Sequence, residues 1–299
     1  MANVPPPRGP AEDDVYTALH FHVSAAALRD RVLDALAEDR AFHDITTIAT
    51  VQSDRRGRAR LVARQAGVVS GVPLAIAAFQ ALDDKCMIQV EAEDGTPLNK
   101  GDAVFFISGH SRGLLSAERV ALNFLQRLSG IATYTARFVD AVRGTGVKIL
   151  DTRKTTPGWR DLEKYAVRCG GGQNHRRDLA DAVLIKDNHL VAVQGDIALA
   201  IRRSRDLAEP GAAVEVECDR VEQVQQAVAA GADIVLLDNM SVADLRECVG
   251  IVGGRAKVEA SGGVSLDTVR SIAATGVDYI SVGALTHSAP AMNLALDFE

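Results

Sequence analysis

From Gly146 onward, the chain alternates short apolar runs with amphipathic stretches, and this alternation limits its fold more than any other feature. Two connections from a helical stretch to the next apolar run are alike, Ala230–Asp233 and Ala274–Asp278, with glycine where each helix would end. Strands and helices that alternate at this spacing indicate a parallel sheet. We predict six strands: Val147–Leu150, Ala182–Ile185, Ala213–Val216, Asp233–Leu237, Lys257–Ala260 and Tyr279–Val282. The predicted helices are Arg160–Arg168, Ile197–Leu207, Val221–Ala230, Val242–Val249 and Leu266–Ala274.

The glycine pattern favours a barrel over an open nucleotide-binding sheet. No G-x-G-x-x-G motif follows the first strand, and Gly144-Thr145-Gly146 precedes that strand. In a parallel barrel, the functional site lies at the C-terminal ends of the strands. We therefore expect an α/β fold whose site residues follow the predicted strands.

The sequence before Gly146 indicates a smaller mixed α/β domain. Residues 23–36 have the spacing of an amphipathic helix, whereas residues 58–72, 87–93 and 98–101 are typical of strands, with a turn at Asp94-Gly95. Ser116 is predicted to be the N-cap of a further helix. One face of that helix is apolar, and the opposite face contains Arg119, Asn123 and Gln126.

Composition argues against several classes of protein. Apolar residues make up 47% of the 299 residues, which is ordinary globular composition, and no window of 18 uncharged apolar residues predicts a membrane span. The opening Met1–Pro10 lacks the apolar region of a signal peptide and is predicted to be a flexible tail. The four cysteines contain no C-x-x-C pair, which disfavours structural zinc and disulfides and fits a cytoplasmic location. We interpret the H-x-H pair of His20 and His22 as part of a solvated element, not as a metal site.

The charge distribution suggests a small anionic ligand. A net charge of −6 argues against a general nucleic-acid surface. Between Lys148 and His189, however, there are nine Lys or Arg residues against six Asp or Glu residues. Charge alone does not separate a polyanion site from ordinary surface ion pairs.

Polar, charged or glycine residues follow each predicted strand. In chain order they are Asp151 to Lys154, Lys186 to His189, Glu217, Asp238-Asn239, Ser261-Gly262-Gly263 and Gly283. Basic residues follow the first two strands, acids the next two, and glycines the last two. This sorting is not expected of turns chosen for structure alone.

Each of these groups suits a different part of a substrate. Glu217 and Asp238 could hold Mg²⁺, which commonly binds one or two carboxylates together with substrate phosphates, but Glu215 competes because it points the same way from its strand. Ser261-Gly262-Gly263 would open a helix near Ser265 and could bind a phosphate through backbone N–H groups. The cationic loops Asp151–Arg160 and Gly170–Arg177 suit carboxylates.

These segments resemble the quinolinate phosphoribosyltransferase family, the decarboxylating nicotinate-nucleotide pyrophosphorylases. The stretch Asp151–Leu190 (DTRKTTPGWRDLEKYAVRCGGGQNHRRDLADAVLIKDNHL) is similar to the signature of that family. Further similarity lies in SAERVALNFLQRLSGIAT (Ser116–Thr133), VEVEC, ADIVLLDNM, VEASGGV and YISVGALTHSAPA, and weakly in HDITT (His43–Thr47).

The resemblance implies a fold, a reaction and a set of roles. The fold would be an incomplete (β/α) barrel, residues 130–285, beside an open α/β sandwich, residues 11–129, completed by the C-terminal tail 286–299. The reaction would join quinolinate to phosphoribosyl pyrophosphate with loss of CO2, giving nicotinate mononucleotide for NAD biosynthesis, with Mg²⁺ and without an organic cofactor. Arg119 would come from the second subunit of a homodimer. The expected quinolinate contacts are Arg119, Thr152, Arg153, Lys154, His175, Arg176 and Lys186. The expected phosphoribosyl pyrophosphate contacts are Lys154, Lys186, Glu217, Asp238, Ser261, Gly262, Gly263 and Gly283, with catalytic roles for Lys154, Lys186, Glu217 and Asp238.

Two alternatives and one role stay open at this point. A nicotinate-type phosphoribosyltransferase would need fewer cations than the Arg153, His175 and Arg176 group provides. A non-catalytic anion-binding protein of the same fold shares part of the DTRKTTPG loop, but Arg119 and both acids favour catalysis. His175 could act as an acid–base group or simply hydrogen-bond.

Overall fold

The computed structural model describes residues 25–209 and 211–299. The proline-rich opening, the H-x-H pair and the start of the predicted helix at 23–36 lie outside these residues. Up to the first parallel strand, the elements are α1 (Ala25–Glu38), a 3-10 turn (Ala41–His43), α2 (Ile45–Thr50), β1 (Arg56–Ala63), β2 (Gly67–Val68), α3 (Val72–Leu82), β3 (Met87–Val90), β4 (Pro97–Leu98), β5 (Ala103–His110) and α4 (Ser111–Ala141).

The alternating part of the chain follows α4. Its elements are β6 (Lys148–Leu150), α5 (Arg160–Cys169), β7 (Val183–Ile185), α6 (Asp187–Ala192), α7 (Ile197–Leu207), β8 (Val214–Cys218), α8 (Val221–Ala229), β9 (Ile234–Asp238), α9 (Val242–Val252), β10 (Lys257–Ser261), α10 (Val269–Ala273), β11 (Tyr279–Ser281), α11 (Ala284–His287) and β12 (Leu294–Phe298). The six predicted parallel strands are confirmed to within a residue at most ends. No helix in the described ranges is long and apolar enough to cross a membrane.

The chain forms two compact units. We call residues 137–154 and 172–284 the barrel unit, and residues 25–136, 155–171 and 285–299 the sandwich unit. The segment 155–171, which contains α5, thus groups with the sandwich unit although it follows β6 in the chain. The domain boundary predicted from the sequence, between residues 129 and 130, stays a prediction.

The sandwich unit is built on a four-stranded antiparallel sheet in the order β12-β1-β5-β3. The C-terminal strand β12 pairs with β1, from Ala59 opposite Phe298 to Ala63 opposite Leu294. The second half of β1 is buried from Leu61 to Ala63, and Phe105 of β5 packs edge-on against Phe79 of α3 with ring centroids 6.0 Å apart. Such aromatic pairs add packing energy beyond the area they bury.

The barrel unit contains six strands, every neighbouring pair of which is parallel, in the order β6-β11-β10-β9-β8-β7. Strands β6 and β7 are therefore the two edges of the sheet. Beside β6, residue Gln173 forms an isolated parallel bridge to Leu150. The α/β fold class with a parallel strand–helix half and a mixed N-terminal half is confirmed.

Four local predictions were wrong, one of them the strand expected at 98–101, of which only Leu98 lies in a strand, at the end of β4. Ser116 is not an N-cap, because α4 begins at Ser111, and the Ser116 hydroxyl instead donates to Asp44 Oδ2 at 3.0 Å. The run 58–72 is not one strand, since β1 ends at Ala63 and Val72 begins α3, which has proline in its first turn. The helix expected from Leu266 begins only at Val269, after a turn in which Thr268 Oγ1 bonds Ser265.

Candidate active site

The candidate site lies in the barrel unit, at the edge where the parallel strands end. Because all six strands run in one direction, the residues that follow them share that edge. In the order of the sheet, the groups are basic after β6, glycine after β11 and β10, acidic after β9 and β8, and basic after β7. The two basic groups follow β6 and β7, which are consecutive in the chain but lie at opposite edges of the sheet.

Asp151 brings a second basic segment to the end of β6. It is completely buried, and its Oδ1 accepts the backbone N–H of His175 at 2.9 Å while Oδ2 accepts from Asn174 Nδ2. The backbone N–H of Gln173 donates to Ile149 O at 2.8 Å and that of Asp151 donates to Gln173 O at 3.1 Å, so Gln173 is joined to β6 by an isolated parallel bridge. Sequence reasoning placed Asp151 in the strand-end group but assigned it no role. Its position between two cationic loops was the available signal.

Two arginines lie close together as a result. Burial, and after it the charge of Arg153, lowers the pKa of Arg176, whose side chain is buried and donates from Nη1 to Ala182 O at 3.1 Å. The Nε of Arg153 is buried and has no hydrogen-bond partner among residues 25–209 and 211–299. Two neighbouring guanidinium groups, one with a buried donor left over, are suited to a ligand with more than one carboxylate.

Thr152 and Lys154 complete the loop after β6. The Thr152 hydroxyl accepts the backbone N–H of Lys154 at 3.1 Å, which makes a tight turn. Lys154 is exposed, whereas Thr152 is half-buried. Lys154 therefore presents its charge at the surface of the loop that follows β6.

His175 is bonded at both ring nitrogens. Its Nδ1 accepts the backbone N–H of Arg176 at 2.7 Å, and its Nε2 lies 3.1 Å from Glu215 Oε2 and 3.6 Å from Glu259 Oε2. Glu215 therefore points to this histidine and is deeply buried, whereas Glu217 is only partly buried. The two acids that compete for Mg²⁺ in the sequence prediction thus differ in depth, and the choice between them stays a prediction. Glu259 escaped the sequence reasoning because it lies within a strand instead of after one.

Lys186 and Glu217 form an ion pair after β7 and β8. The Lys186 Nζ lies 2.5 Å from Glu217 Oε2, with side-chain exposures of 43% and 14%. The backbone N–H of Lys186 donates to Nδ1 of His189 at 2.9 Å, so His189 fixes the backbone from which this lysine extends. Glu217 is partly buried but open enough to be reached by a ligand.

Asp238 and the glycine pair are linked through Asn239. The side-chain amide of Asn239 donates to Asp238 Oδ2 at 2.8 Å, and its backbone N–H donates to Ser261 O at 2.9 Å. Gly262 and Gly263 have φ of +90° and +60°, and a Cβ on Gly262 would lie 2.3 Å from Asn239 Oδ1. Gly262 therefore has to be glycine for its backbone and for its neighbour. The helix dipole expected at Ser265 is absent here, because α10 begins at Val269, whereas Gly283 lies directly before the short α11.

Arg119 lies in the sandwich unit and is exposed on α4. It lines a cavity of about 470 Å³ together with Asp39, Arg40, Ala41, His43, Asp44, Ile45, Leu115 and Ser116. Asp44 accepts the backbone N–H of Thr47 at 3.0 Å as the N-cap of α2, which gives the HDITT segment a structural use. Asn123 is exposed like Arg119, but Gln126 donates to Leu294 O at 2.8 Å and therefore belongs to the packing of β12.

The comparisons with known proteins agree along nearly the whole chain. The models of the quinolinate phosphoribosyl transferase N-terminal and C-terminal domains match residues 44–129 and 131–297. A nicotinate-nucleotide pyrophosphorylase [carboxylating] of Mycobacterium leprae is 44% identical over 277 residues, which is 91% of this chain and 97% of that protein. A probable nicotinate-nucleotide pyrophosphorylase [carboxylating] of Bacillus subtilis is 41% identical over 87% of this chain and 89% of its own length.

A solved structure extends the similarity to the fold. The nicotinate-nucleotide pyrophosphorylase from Francisella tularensis superposes with a TM-score of 0.90 at 40% identity, covering 95% of this chain and all of that one (100%). Matches of this extent, in both halves of the chain and in sequence as well as structure, show that the chain belongs to the quinolinate phosphoribosyltransferase family.

Proposed function

We propose that this chain transfers the phosphoribosyl group of phosphoribosyl pyrophosphate to quinolinate, releasing CO2 and pyrophosphate and giving nicotinate mononucleotide for NAD biosynthesis. Two close relatives by sequence bear the name of this pyrophosphorylase. The single observation in the structure that supports it best is the bonding of Asp151 to Asn174 and His175, which brings the loops of Arg153 and Arg176 together at the end of β6. We place the reaction in the cytoplasm.

Quinolinate is a pyridine with two neighbouring carboxylates, and we assign its binding to the cationic end of the sheet. Arg153 and Arg176 hold the carboxylates, because charge-assisted hydrogen bonds to arginine are each worth about 1.5–3 kcal/mol. Thr152, Lys154 and Lys186 surround the ring from the two edge strands. His175 supports this group through Arg176, since both of its ring nitrogens already have protein partners.

The sugar phosphate binds along the middle of the sheet in this proposal. Glu217 and Asp238 hold the ribose hydroxyls, and Ser261, Gly262, Gly263 and Gly283 bind the 5′-phosphate through backbone N–H groups. The two carboxylates, on adjacent strands and only partly buried, are a donor set that fits Mg²⁺ with its retained waters. When bound, Mg²⁺ would supply positive charge against the pyrophosphate.

The reaction needs positioning more than covalent catalysis by the protein. The pyridine nitrogen attacks C1 of the ribose as the bond to pyrophosphate breaks. The C2 carboxylate then leaves as CO2, and the electron pair of the broken bond stays on C2, where the adjacent positive ring nitrogen stabilises it. A proton from water replaces the lost CO2 on that carbon. Lys154 and Lys186 neutralise the pyrophosphate, and Lys186 exchanges Glu217 for this anion as the donor binds.

We further propose that the active unit is a homodimer to which each subunit contributes Arg119. Arg119 is exposed, and the exposed Ile45, with 81% of its surface accessible, lines the same cavity. Phe42 and Ile48, on either side of it in the chain, are 52% and 51% exposed. Exposed apolar side chains around a charged one are typical of an interface.

Subunit complementation tests the dimer. Arg119→Ala and Arg153→Ala would each be inactive, but a refolded equal mixture would contain heterodimers with one intact site. Recovery of about a quarter of wild-type activity is expected for random assembly of a two-fold dimer. A mixture as inactive as its components would exclude Arg119 in trans.

The reaction itself is tested with purified protein, Mg²⁺, phosphoribosyl pyrophosphate and either quinolinate or nicotinate. Mass spectrometry should find nicotinate mononucleotide, with CO2 released in equal amount, only from quinolinate. Turnover of nicotinate without CO2 would support the nicotinate-type alternative. Calorimetry with molybdate addresses the non-catalytic alternative, because molybdate binding without turnover would support that protein class instead.

A further inference from the structure

Three buried ionisable side chains meet inside the barrel unit, next to Arg176, which is assigned to quinolinate. His175, Glu215 and Glu259 are 8%, 4% and 0% exposed, and their ligand atoms all lie within 4.8 Å of one another. Glu215 is on β8 and Glu259 is on β10, while His175 lies in the segment that runs beside β6. Burying so much charge is unfavourable unless the groups neutralise one another.

The hydrogen bonds of His175 define where its proton lies. Nδ1 accepts the backbone N–H of Arg176 at 2.7 Å, so Nδ1 carries no hydrogen. The ring is therefore neutral, with its single proton on Nε2, which is 3.1 Å from Glu215 and 3.6 Å from Glu259. A metal ion at Nε2 would require the proton on Nδ1, where a second N–H already points. The trio is thus a proton-linked cluster and not a metal site.

One of the two carboxyl groups has to be neutral in this arrangement. A single N–H cannot compensate two buried carboxylates. Burial, and after it the charge of Glu215, raises the pKa of Glu259 to about 8. Glu259 is then the uncharged member at neutral pH, and Glu215 is the carboxyl group to which the Nε2–H of His175 donates at 3.1 Å.

The cluster determines the position of the quinolinate arginine. Glu215 contacts the His175 Nε2 at 3.1 Å, and Asp151 accepts the His175 backbone N–H. Glu259 lies 3.6 Å from the same Nε2, and neither of its oxygens has a hydrogen-bond partner in the described part of the chain, so it acts on the ring by packing and charge. His175 in turn accepts the backbone N–H of Arg176. We propose that Glu259 is a positioning residue, which together with Glu215 holds His175 in place and through that histidine sets the backbone of Arg176. This role rests on the proposed function, since Arg176 is assigned to quinolinate.

Two substitutions separate position from charge. Glu259→Gln keeps the length and neutrality of the protonated side chain, so its KM for quinolinate should stay within about threefold of wild type. Glu259→Asp keeps the acid but withdraws it by one methylene, and should raise that KM by about tenfold or more, because small misplacements of a binding group are costly. KM for phosphoribosyl pyrophosphate should change by less than about threefold in both.

Val258→Ala is the matched control, since Val258 is 3% exposed and lies on the opposite face of the same strand. It should lower Tm without separating the two KM values. The inference is overturned if Glu259→Asp leaves KM for quinolinate unchanged, or raises both KM values equally as a general loss of stability would. If Glu259→Asp does not fold, a rise of about tenfold in KM for quinolinate in Glu259→Gln would overturn it equally.

The tautomer provides a readout that needs no activity. Long-range ¹H–¹⁵N NMR of histidine-labelled wild-type protein, assigned with His175→Gln, should show the proton of His175 on Nε2. A proton on Nδ1 would overturn the inference even in an active enzyme. A wild-type protein without transferase activity would instead remove the proposed function, and the tautomer would still decide whether the cluster is as described.

Discussion

Asp151 Oδ1 accepts the backbone N–H of His175 at 2.9 Å, and this bond joins two loops that are separated by the whole of α5 in the chain. The Asp151 side chain is buried and also bonds Asn174. Arg153 and Arg176 can be neighbours because this carboxylate holds the second loop against the end of β6. The cationic group is therefore organised by an anion beneath it.

Replacing Asp151 should reduce both the stability of the protein and its binding of quinolinate. Asp151→Ala leaves the buried N–H of His175 without an acceptor, and we expect a loss of about 1–3 kcal/mol in the free energy of unfolding. KM for quinolinate should rise more than KM for phosphoribosyl pyrophosphate. Asp140→Ala is the control, because the Asp140–Arg143 pair is largely exposed and should contribute little. Equal stability of the two variants in urea would contradict the anchoring role.

Glu163 should be essential to the sandwich unit only while Arg127 is present. Glu163 is completely buried and accepts from Arg127 Nη2 at 2.7 Å, from the Thr156 backbone at 3.0 Å and from the Thr156 hydroxyl at 2.9 Å. Breaking a buried pair costs about 3–5 kcal/mol, because one charge is left uncompensated. Glu163→Gln should therefore lower the free energy of unfolding strongly in the wild-type background. The same substitution should lower it less when Arg127→Met is already present. Chemical denaturation of the four proteins gives the coupling, and strictly additive effects would contradict it.

Lys186 should matter for catalysis and little for folding. Its ion pair with Glu217 is partly exposed, so Lys186→Met should change Tm only slightly. We expect kcat/KM for phosphoribosyl pyrophosphate to fall by about 100-fold or more, since a charge aimed at the leaving group is lost. The Lys257–Asp278 pair at 2.8 Å offers a matched control outside the site, and Lys257→Met should keep full activity. Wild-type kinetics in Lys186→Met would contradict the assignment.

Much of this arrangement could be predicted from the sequence, because a parallel sheet carries its ligands where its strands end. Six strands, the residues after them and the two cationic loops follow from that rule. Helix α3 could not be predicted in this way, because VPLAIAAFQAL is apolar on every side and lacks the polar face that marks a surface helix. The true start of α4 was hidden for a different reason. Its first turn contains Gly113, which is needed because a Cβ there would lie 2.9 Å from Asp83 Cβ.

The buried part of the site was beyond such rules. Glu215 and Glu217 lie on the same side of β8, and only the packing around them makes one a buried partner of His175 and the other a partner of Lys186. Glu259 has no strand-end signal at all. Depth within a sheet is a tertiary property, so a period of two along the strand cannot supply it.

Gly262 should be irreplaceable for a reason beyond its backbone angle. Gly262 has a φ of +90°, and in Gly262→Ala the new Cβ would lie 2.3 Å from Asn239 Oδ1. The contact would displace Asn239, which is the hydrogen-bond partner of Asp238. We expect KM for phosphoribosyl pyrophosphate to rise by about 100-fold. Gly144 has nearly the same strained backbone, with φ of +82°, but a Cβ added there would have no atom within 4 Å. Gly144→Ala should therefore lower the free energy of unfolding by about 1 kcal/mol and leave the activity unchanged. Equal kinetics in the two variants would show that the contact with Asn239 is unimportant.

The buried Glu259 should make stability depend on pH in a defined direction. Burial raises its pKa from 4.5 to about 8, so the folded protein binds this proton more tightly than the unfolded chain does. Its favourable contribution is complete below about pH 4.5 and is lost as the pH rises towards 8, at about 1.4 kcal/mol per pH unit for a single group. Glu259→Gln carries no titrating proton, so its free energy of unfolding relative to wild type should increase across this window and level off above it. Urea denaturation of both proteins between pH 5 and 9 measures the difference, and parallel curves would mean that Glu259 is ionised in the folded state.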